Sequence, residues 1–319
     1  MLSRVADTLY WMSRYLERAE HTARLLDLQL HQMLEKDAAD SDPRWERIIA
    51  SLYVDAPPNL GGDAYSLAHL LSFDTANSNA IVSCIAAARE NARHVREQIS
   101  SEMWEQVNRL SLQVRSTRLD NIWDAQPHEF FRSVKEGIHL FQGITDSTMN
   151  HGEGWQFIQM GRSLERALAT ATLLRVHYQA WSSQNYRQTV TDTFMEWITL
   201  LKSCTAFEAY CKVYTADLRP DRIAEFLILN SEFPHSIRFS ANALHSALES
   251  VAQSTESKRA RRVNRLAGRL RATLDYGQID EIMDSGLFFY LEDVQQQCNQ
   301  IHDTIYQTYI TYPIEEMVS

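Results

Sequence analysis

From Val5 onward the apolar positions recur by fours and threes: Val5, Leu9, Met12, Leu16, Ala19, Ala23, Leu26, Leu30 and Met33. That period draws one continuous stripe along a helix and predicts a first helix over residues 3–35. Ala19 and Ala23 on the stripe leave room for a second backbone to come close. Residues 40–43 break the pattern, a short helix over 45–53 follows, and Ala56-Pro57-Pro58-Asn59-Leu60-Gly61-Gly62 reads as a loop. The same reading predicts helices over 64–73, 80–107, 127–144, 154–183 and 191–215. Further ones fall over 220–229, 236–248, 258–276 and 279–309. Pro220 suits a first helical turn, where its missing N–H is not needed. Asn150, with Glu153 three positions on, has the spacing of a capping box. The expected fold is all-α, an elongated or globular helical bundle.

The pattern also repeats itself. Arg14-Tyr15-Leu16-Glu17-Arg18-Ala19 recurs as Arg162-Ser163-Leu164-Glu165-Arg166-Ala167, and the apolar stripe follows at the same offset. Leu9, Met12, Leu16, Ala19, Ala23 and Leu26 correspond to Phe157, Met160, Leu164, Ala167, Ala171 and Leu174. A weaker echo links Phe73-Asp74 and Asn79-Ala80-Ile81 with Leu229-Asn230 and His235-Ser236-Ile237. Charged and packing positions that recur together are harder to obtain by accident than either alone. We therefore expect two diverged repeats, 1–149 and 150–319, packed as one domain with a pseudo-twofold relation.

Spacing says what the repeated faces can do. Arg14, Glu17 and Arg18 share one side of a helix, and Arg162, Glu165 and Arg166 repeat the arrangement. A glutamate among guanidinium groups stays ionised, so such a face suits interhelical locking or recognition of a carboxylate or phosphate better than proton transfer. A third polar cluster, Arg89, Glu90, Asn91 and Arg93, offers a further network or ligand-site candidate. Lys258, Arg259, Arg261, Arg262, Arg265, Arg269 and Arg271 form a basic stretch with no acidic residue before Asp275. On a helix Arg262, Arg265 and Arg269 share one face, a candidate docking surface for an acidic partner.

Composition narrows the class. With 45% hydrophobic and 23% charged residues in 319, the chain can bury a substantial core. Ten glycines and seven prolines leave long uninterrupted segments. A net charge of −10 disfavours general affinity for nucleic acid or an anionic membrane. Neither a signal-peptide core nor a membrane-length apolar run occurs, so a soluble, cytoplasmic protein is expected.

Motifs of chemistry are sparse. The four cysteines, Cys84, Cys204, Cys211 and Cys298, contain no CxxC pair and read as small buried hydrophobes. Glu17/His21 and Glu90/His94 have i,i+4 spacing, but a di-iron bundle needs repeated Glu-x-x-His pairs, and Ala169 stands where a second histidine would repeat His21. No HExxH, phosphate-binding loop or glycine-framed serine appears. Trp11, Trp104, Trp155 and Trp197 fit core or interface packing. Neither a metal nor a cofactor is expected, and no catalytic residue is assigned.

Three segments carry a resemblance: Ala6-Asp7-Thr8-Leu9-Tyr10-Trp11-Met12-Ser13-Arg14-Tyr15-Leu16-Glu17-Arg18-Ala19-Glu20, Arg89-Glu90-Asn91-Ala92-Arg93, and His151-Gly152-Glu153-Gly154-Trp155 leading to Gly161-Arg162-Ser163-Leu164-Glu165-Arg166-Ala167. Together they resemble the alpha-E domain family, all-helical bacterial proteins named for a glutamate–arginine motif. The sequence departs from it at His235, where the family often carries arginine. The resemblance implies a protein partner of ATP-grasp or transglutaminase-like type. It also implies an accessory part, as scaffold or substrate-recognition subunit, in ATP-dependent amide or peptide ligation. The alternative is an independent enzyme acting on an acidic small molecule or peptide in a central Arg/Glu-rich cleft.

Overall fold

A computed structural model describes residues 1–34, 43–52, 54, 63–123, 127–182, 190–215, 217–255 and 258–311. The breaks expected at 40–43 and 56–62 lie mostly or wholly outside the described residues, as do the side chains of Lys258 and Arg259. The helices are α1 (Ser3–Leu34), α2 (Pro43–Ser51), α3 (Ala64–Ser72), α4 (Ile81–His94) and α5 (Ser101–Ser116). After them come α6 (Leu119–Trp123), α7 (Pro127–Thr148), α8 (Glu153–Ser182), α9 (Val190–Ser203) and α10 (Phe207–Tyr214). The last are α11 (Pro220–Leu229), α12 (Ile237–Thr255), α13 (Lys258–Tyr276), α14 (Ile279–Ser285) and α15 (Leu287–Ile305), which runs into a π-helical turn over Tyr306–Ile310. Among the described residues every regular element is helical, so the fold is all-α.

Two helices lie at the centre. α1 packs chiefly on α8, α4 and α7, and α8 on α1, α12 and α15. A helix with neighbours on several sides is apolar or satisfied all round. α8 accordingly buries Phe157 to Gly161, Ser163 to Glu165 and Thr170 to Leu174. The stripe Leu9, Met12, Ala19, Ala23 and Leu26 is fully buried, in one apolar cluster with Met160, Leu164, Ala171 and Leu174. At the crossing, Gly161 lies so close to α1 that a Cβ there would strike Ser13 Oγ and the Tyr10 carbonyl. No helix among the described residues is long and apolar enough to cross a membrane.

Three expected helices are each divided. The 80–107 segment stops at His94, Val95 leaves helical geometry at φ −124°, and Ser100 caps α5 by accepting the Met103 N–H at 3.1 Å. The 191–215 segment breaks at Thr205, whose φ of 51° is left-handed, a conformation β-branched residues rarely adopt. The 279–309 segment breaks at Gly286, φ 99°, where the missing Cβ makes the turn accessible. α8 does not start directly after Asn150, because a turn over residues 151–152 comes first. α8 opens at Glu153, and that carboxylate accepts from the Met1 amino group at 2.7 Å.

Candidate functional site

Just past the Gly161 crossing, the polar faces of α1 and α8 meet and exchange partners. Arg14 donates its Nε–H to Glu165 Oε2 at 2.7 Å, and Arg18 donates its Nε–H to Oε1 of the same carboxylate at 2.7 Å. In return Arg166 grips Glu17 with two bonds, Nε to Oε1 at 2.6 Å and Nη2 to Oε2 at 2.9 Å. Gln142 from α7 adds a third donor to Glu17 at 3.2 Å. Each glutamate is thus held by the other segment's arginines, not by those beside it on its own helix. Parallel N–H bonds to one carboxylate combine charge with fixed direction.

Burial raises the stakes. Arg14, Glu17 and Glu165 are all buried. Burial disfavours ionised Glu165, but Arg14 and Arg18 beside it outweigh that and bring its carboxyl down to about 2. Arg14 also donates through Nη1 toward His302 Nδ1 at 3.1 Å, and its guanidinium lies 4.7 Å from the Trp11 ring centroid. The Tyr10 hydroxyl and His302 Nδ1 are 2.9 Å apart, with the two rings stacked. Burial, then Arg14, pushes His302 down to about 4, so the imidazole is neutral at pH 7. Arg18 reaches the Asn79 side-chain oxygen at 2.6 Å.

The polar line continues along α1. Arg24 pairs with Glu20 at 3.0 Å on its own helix and donates to the Ser203 carbonyl at the end of α9. His21 Nδ1 faces Arg24 at 3.3 Å, and burial followed by Arg24 lowers this imidazole to about 3. Asp27 takes Lys135 of α7 at 2.5 Å. α1 is therefore tied through charged groups to α7, α8 and α9.

The other candidates take no part in these ion pairs. Arg162, the counterpart of Arg14, does not repeat its role. It bonds Gln159 on its own helix, with Asp146 at 4.0 Å, and its pKa is lowered by burial and by Arg166. Arg89 donates to Asn108 of α5 at 2.7 Å, while exposed Arg93 pairs with exposed Glu90 at 2.5 Å, and Asn91 is half-buried beside them. Arg262, Arg265 and Arg269 are exposed on α13 and have no ion pair among the described residues. Sequence reasoning missed Asn79, Gln142 and His302. Only Asn79 carried a signal, through the weak echo around Asn79-Ala80-Ile81.

Chemically, the two glutamates are spent as acceptors for three arginines, which leaves the centre with one excess positive charge. Burial moves the Cys84, Cys204 and Cys298 thiols up to about 12, which suppresses the nucleophilic thiolate.

This arrangement of glutamates and arginines on helices agrees with a family match over residues 1–310, to Alpha-E, described as a predicted alpha-helical domain with a conserved ER motif. The chain belongs to that family. It is similar to the uncharacterized proteins Mb2597 of Mycobacterium bovis and MT2643 of Mycobacterium tuberculosis, each 23% identical over 307 residues. Uncharacterized protein Rv2567 of M. tuberculosis is 22% identical over the same length. These matches cover 89% of this chain but 34% of each relative, so the chain spans about a third of their length. No solved structure matches.

Proposed function

We propose that this chain is a cytoplasmic helical scaffold or substrate-recognition subunit that acts with an ATP-grasp-type amide or peptide ligase. The observation that carries the reading is the reciprocal exchange of Glu17 and Glu165 between α1 and α8. A charged centre whose members satisfy one another fixes helix geometry and leaves no carboxylate poised as a general base. The length of the mycobacterial relatives fits a module joined to further chain. The same reciprocity supports reading 1–149 and 150–319 as diverged copies about a pseudo-twofold axis. In such a pair, each copy completes the other's ion pairs. The exposed arginines of α13 supply the docking face.

The test is affinity isolation at low salt from the native cell. ATP-hydrolysis and ligation assays of chain and partner, alone and together, follow. The chain alone is expected to be inert and to bind or stimulate its partner. Reversing Arg262, Arg265 and Arg269 to glutamate should weaken that association without altering circular dichroism, as should added salt. Turnover by the purified chain alone, lost on changing Glu17 or Glu165 without loss of fold, overturns the proposal.

A further inference from the structure

We propose that the groove between α3, the end of α5 and α6 binds a short acidic peptide. The groove has a volume of about 390 Å³, the size of a small-ligand site, and involves neither the ion-pair centre nor α13. Its apolar wall includes Phe73, set 5.0 Å from Phe130, and the buried Val114. Arg115 and Arg118 also line it. Both are exposed, and neither forms an ion pair among the described residues. Arg115 sits in the last turn of α5, where a cation complements the carbonyl end of the helix. Arg118 lies beyond the helix, in the connection to α6, and has no such task.

The third charged group in the groove selects the class of ligand. Asp120 accepts a hydrogen bond from the Tyr65 hydroxyl through Oδ1, which leaves Oδ2 for a donor brought by an occupant. Two permanent guanidinium charges and one carboxylate call for a molecule with excess negative charge and at least one N–H. The apolar wall calls for a hydrocarbon side chain as well. A peptide carrying carboxylates, amide N–H groups and an apolar residue meets all three demands. A bare phosphate would face Asp120 and leave the apolar wall uncovered, and the run of phosphates on a nucleic acid would meet two arginines and a carboxylate in the groove.

The inference stands independently of the ligase proposal, and its experiment needs the full chain alone. The probe is the tripeptide leucyl-glutamyl-glutamate, titrated calorimetrically at 50 mM and 200 mM NaCl. Saturable binding is expected, weaker at the higher salt, with at least a tenfold loss when Arg115→Glu and Arg118→Glu are combined. Leucyl-glutaminyl-glutaminamide should not bind. The triple reversal of Arg262, Arg265 and Arg269 should bind the tripeptide like wild type. If the double variant fails to fold, Arg118→Gln, at an exposed position outside any helix, carries the comparison and should weaken binding severalfold. Four results each overturn the proposal: no saturable heat, equal affinity for the neutral amide, inorganic phosphate or a single-stranded oligonucleotide binding as tightly as the tripeptide, or binding lost only in the α13 variant.

Discussion

Replacing Glu165 by glutamine keeps the shape of the side chain and removes the charge that two arginines share. Arg14 is the more exposed to the consequence because its side chain is only 7% accessible and cannot turn to water. The magnitude can be reached from two directions. Glu165 is brought from an ordinary 4.5 to about 2, which at about 1.4 kcal/mol per pKa unit is roughly 3 kcal/mol of folding stability. Removing one partner of a buried ion pair costs about 3–5 kcal/mol, because the other charge is left uncompensated. Either value is a large share of the ~5–15 kcal/mol that holds a domain together. The assay is urea denaturation at pH 7 followed by circular dichroism at 222 nm, since urea, unlike guanidinium, does not screen charge. Glu165→Gln should lower the midpoint markedly, while Glu90→Gln, in an exposed pair, should leave it unchanged. Adding Arg14→Met to Glu165→Gln removes the orphaned charge, so the double variant should lose less than the sum of the single changes. The pH dependence has a definite sign. A depressed carboxyl contributes fully above its unfolded value, and the contribution is lost as pH falls from about 4.5 toward 2. The gap between wild type and Glu165→Gln should therefore narrow in acid. A wild-type midpoint for Glu165→Gln, or a double variant that loses the full sum, would refute the buried-charge argument.

Gly161→Ala should destabilise by about 1–3 kcal/mol, because the new methyl meets a backbone carbonyl that cannot move aside. Adding Ser13→Ala should recover only part of that loss in thermal melts, and full recovery would place the constraint on the hydroxyl alone. Burial holds His21 near 3 and His177 near 4 in the folded chain. The unfolded chain binds those protons first, so stability should fall as pH drops below about 6.5, and His177→Gln should flatten that slope in urea midpoints. A slope unchanged by the substitution would mean that His177 titrates alike in both states. Alkylation of the native protein with iodoacetamide at pH 8, read by mass spectrometry, should be confined to half-exposed Cys211. Rapid modification of Cys84, Cys204 or Cys298 would contradict their burial.

Much of the helical order was legible because the stripe in α1 is long and unbroken, and its positions from Leu9 to Leu26 are the ones the protein buries. The breaks were less so. Gly286 was a readable signal, a glycine in an otherwise helical run. Thr205 was not, because nothing local favours a left-handed threonine. It adopts that conformation at the sharp junction of α9 and α10, where Ala206 N–H caps back onto the Leu201 carbonyl. Ser100 reads equally well as a cap or as a solvent-facing helix residue, and only packing decides. The repeated arginines and glutamates were likewise visible in the sequence. The choice each arginine makes among carboxylates was not, since i,i+3 and i,i+4 spacing favours partners on the same helix. That choice depends on the Gly161 crossing, where α1 and α8 come close enough for their polar faces to meet. His302 lay beyond reach for the same reason: it meets Arg14 across 288 positions of sequence.

The exchange between α1 and α8 also has a bearing on how the protein is made. Arg14 and Glu165 are 151 residues apart in the chain. At a synthesis rate of ~5–20 residues per second, α1 leaves the ribosome roughly 8–30 s before its partner helix exists. During that wait α4 and α7 emerge, but the part of the α1 stripe that α8 covers stays open to other nascent surfaces. The arginines and glutamates of α1 are then still hydrated, and they give the unfinished helix a charged flank that discourages indiscriminate association. The groups that lock the completed protein are the ones that keep its early helix dissolved while the rest of the chain is still being translated.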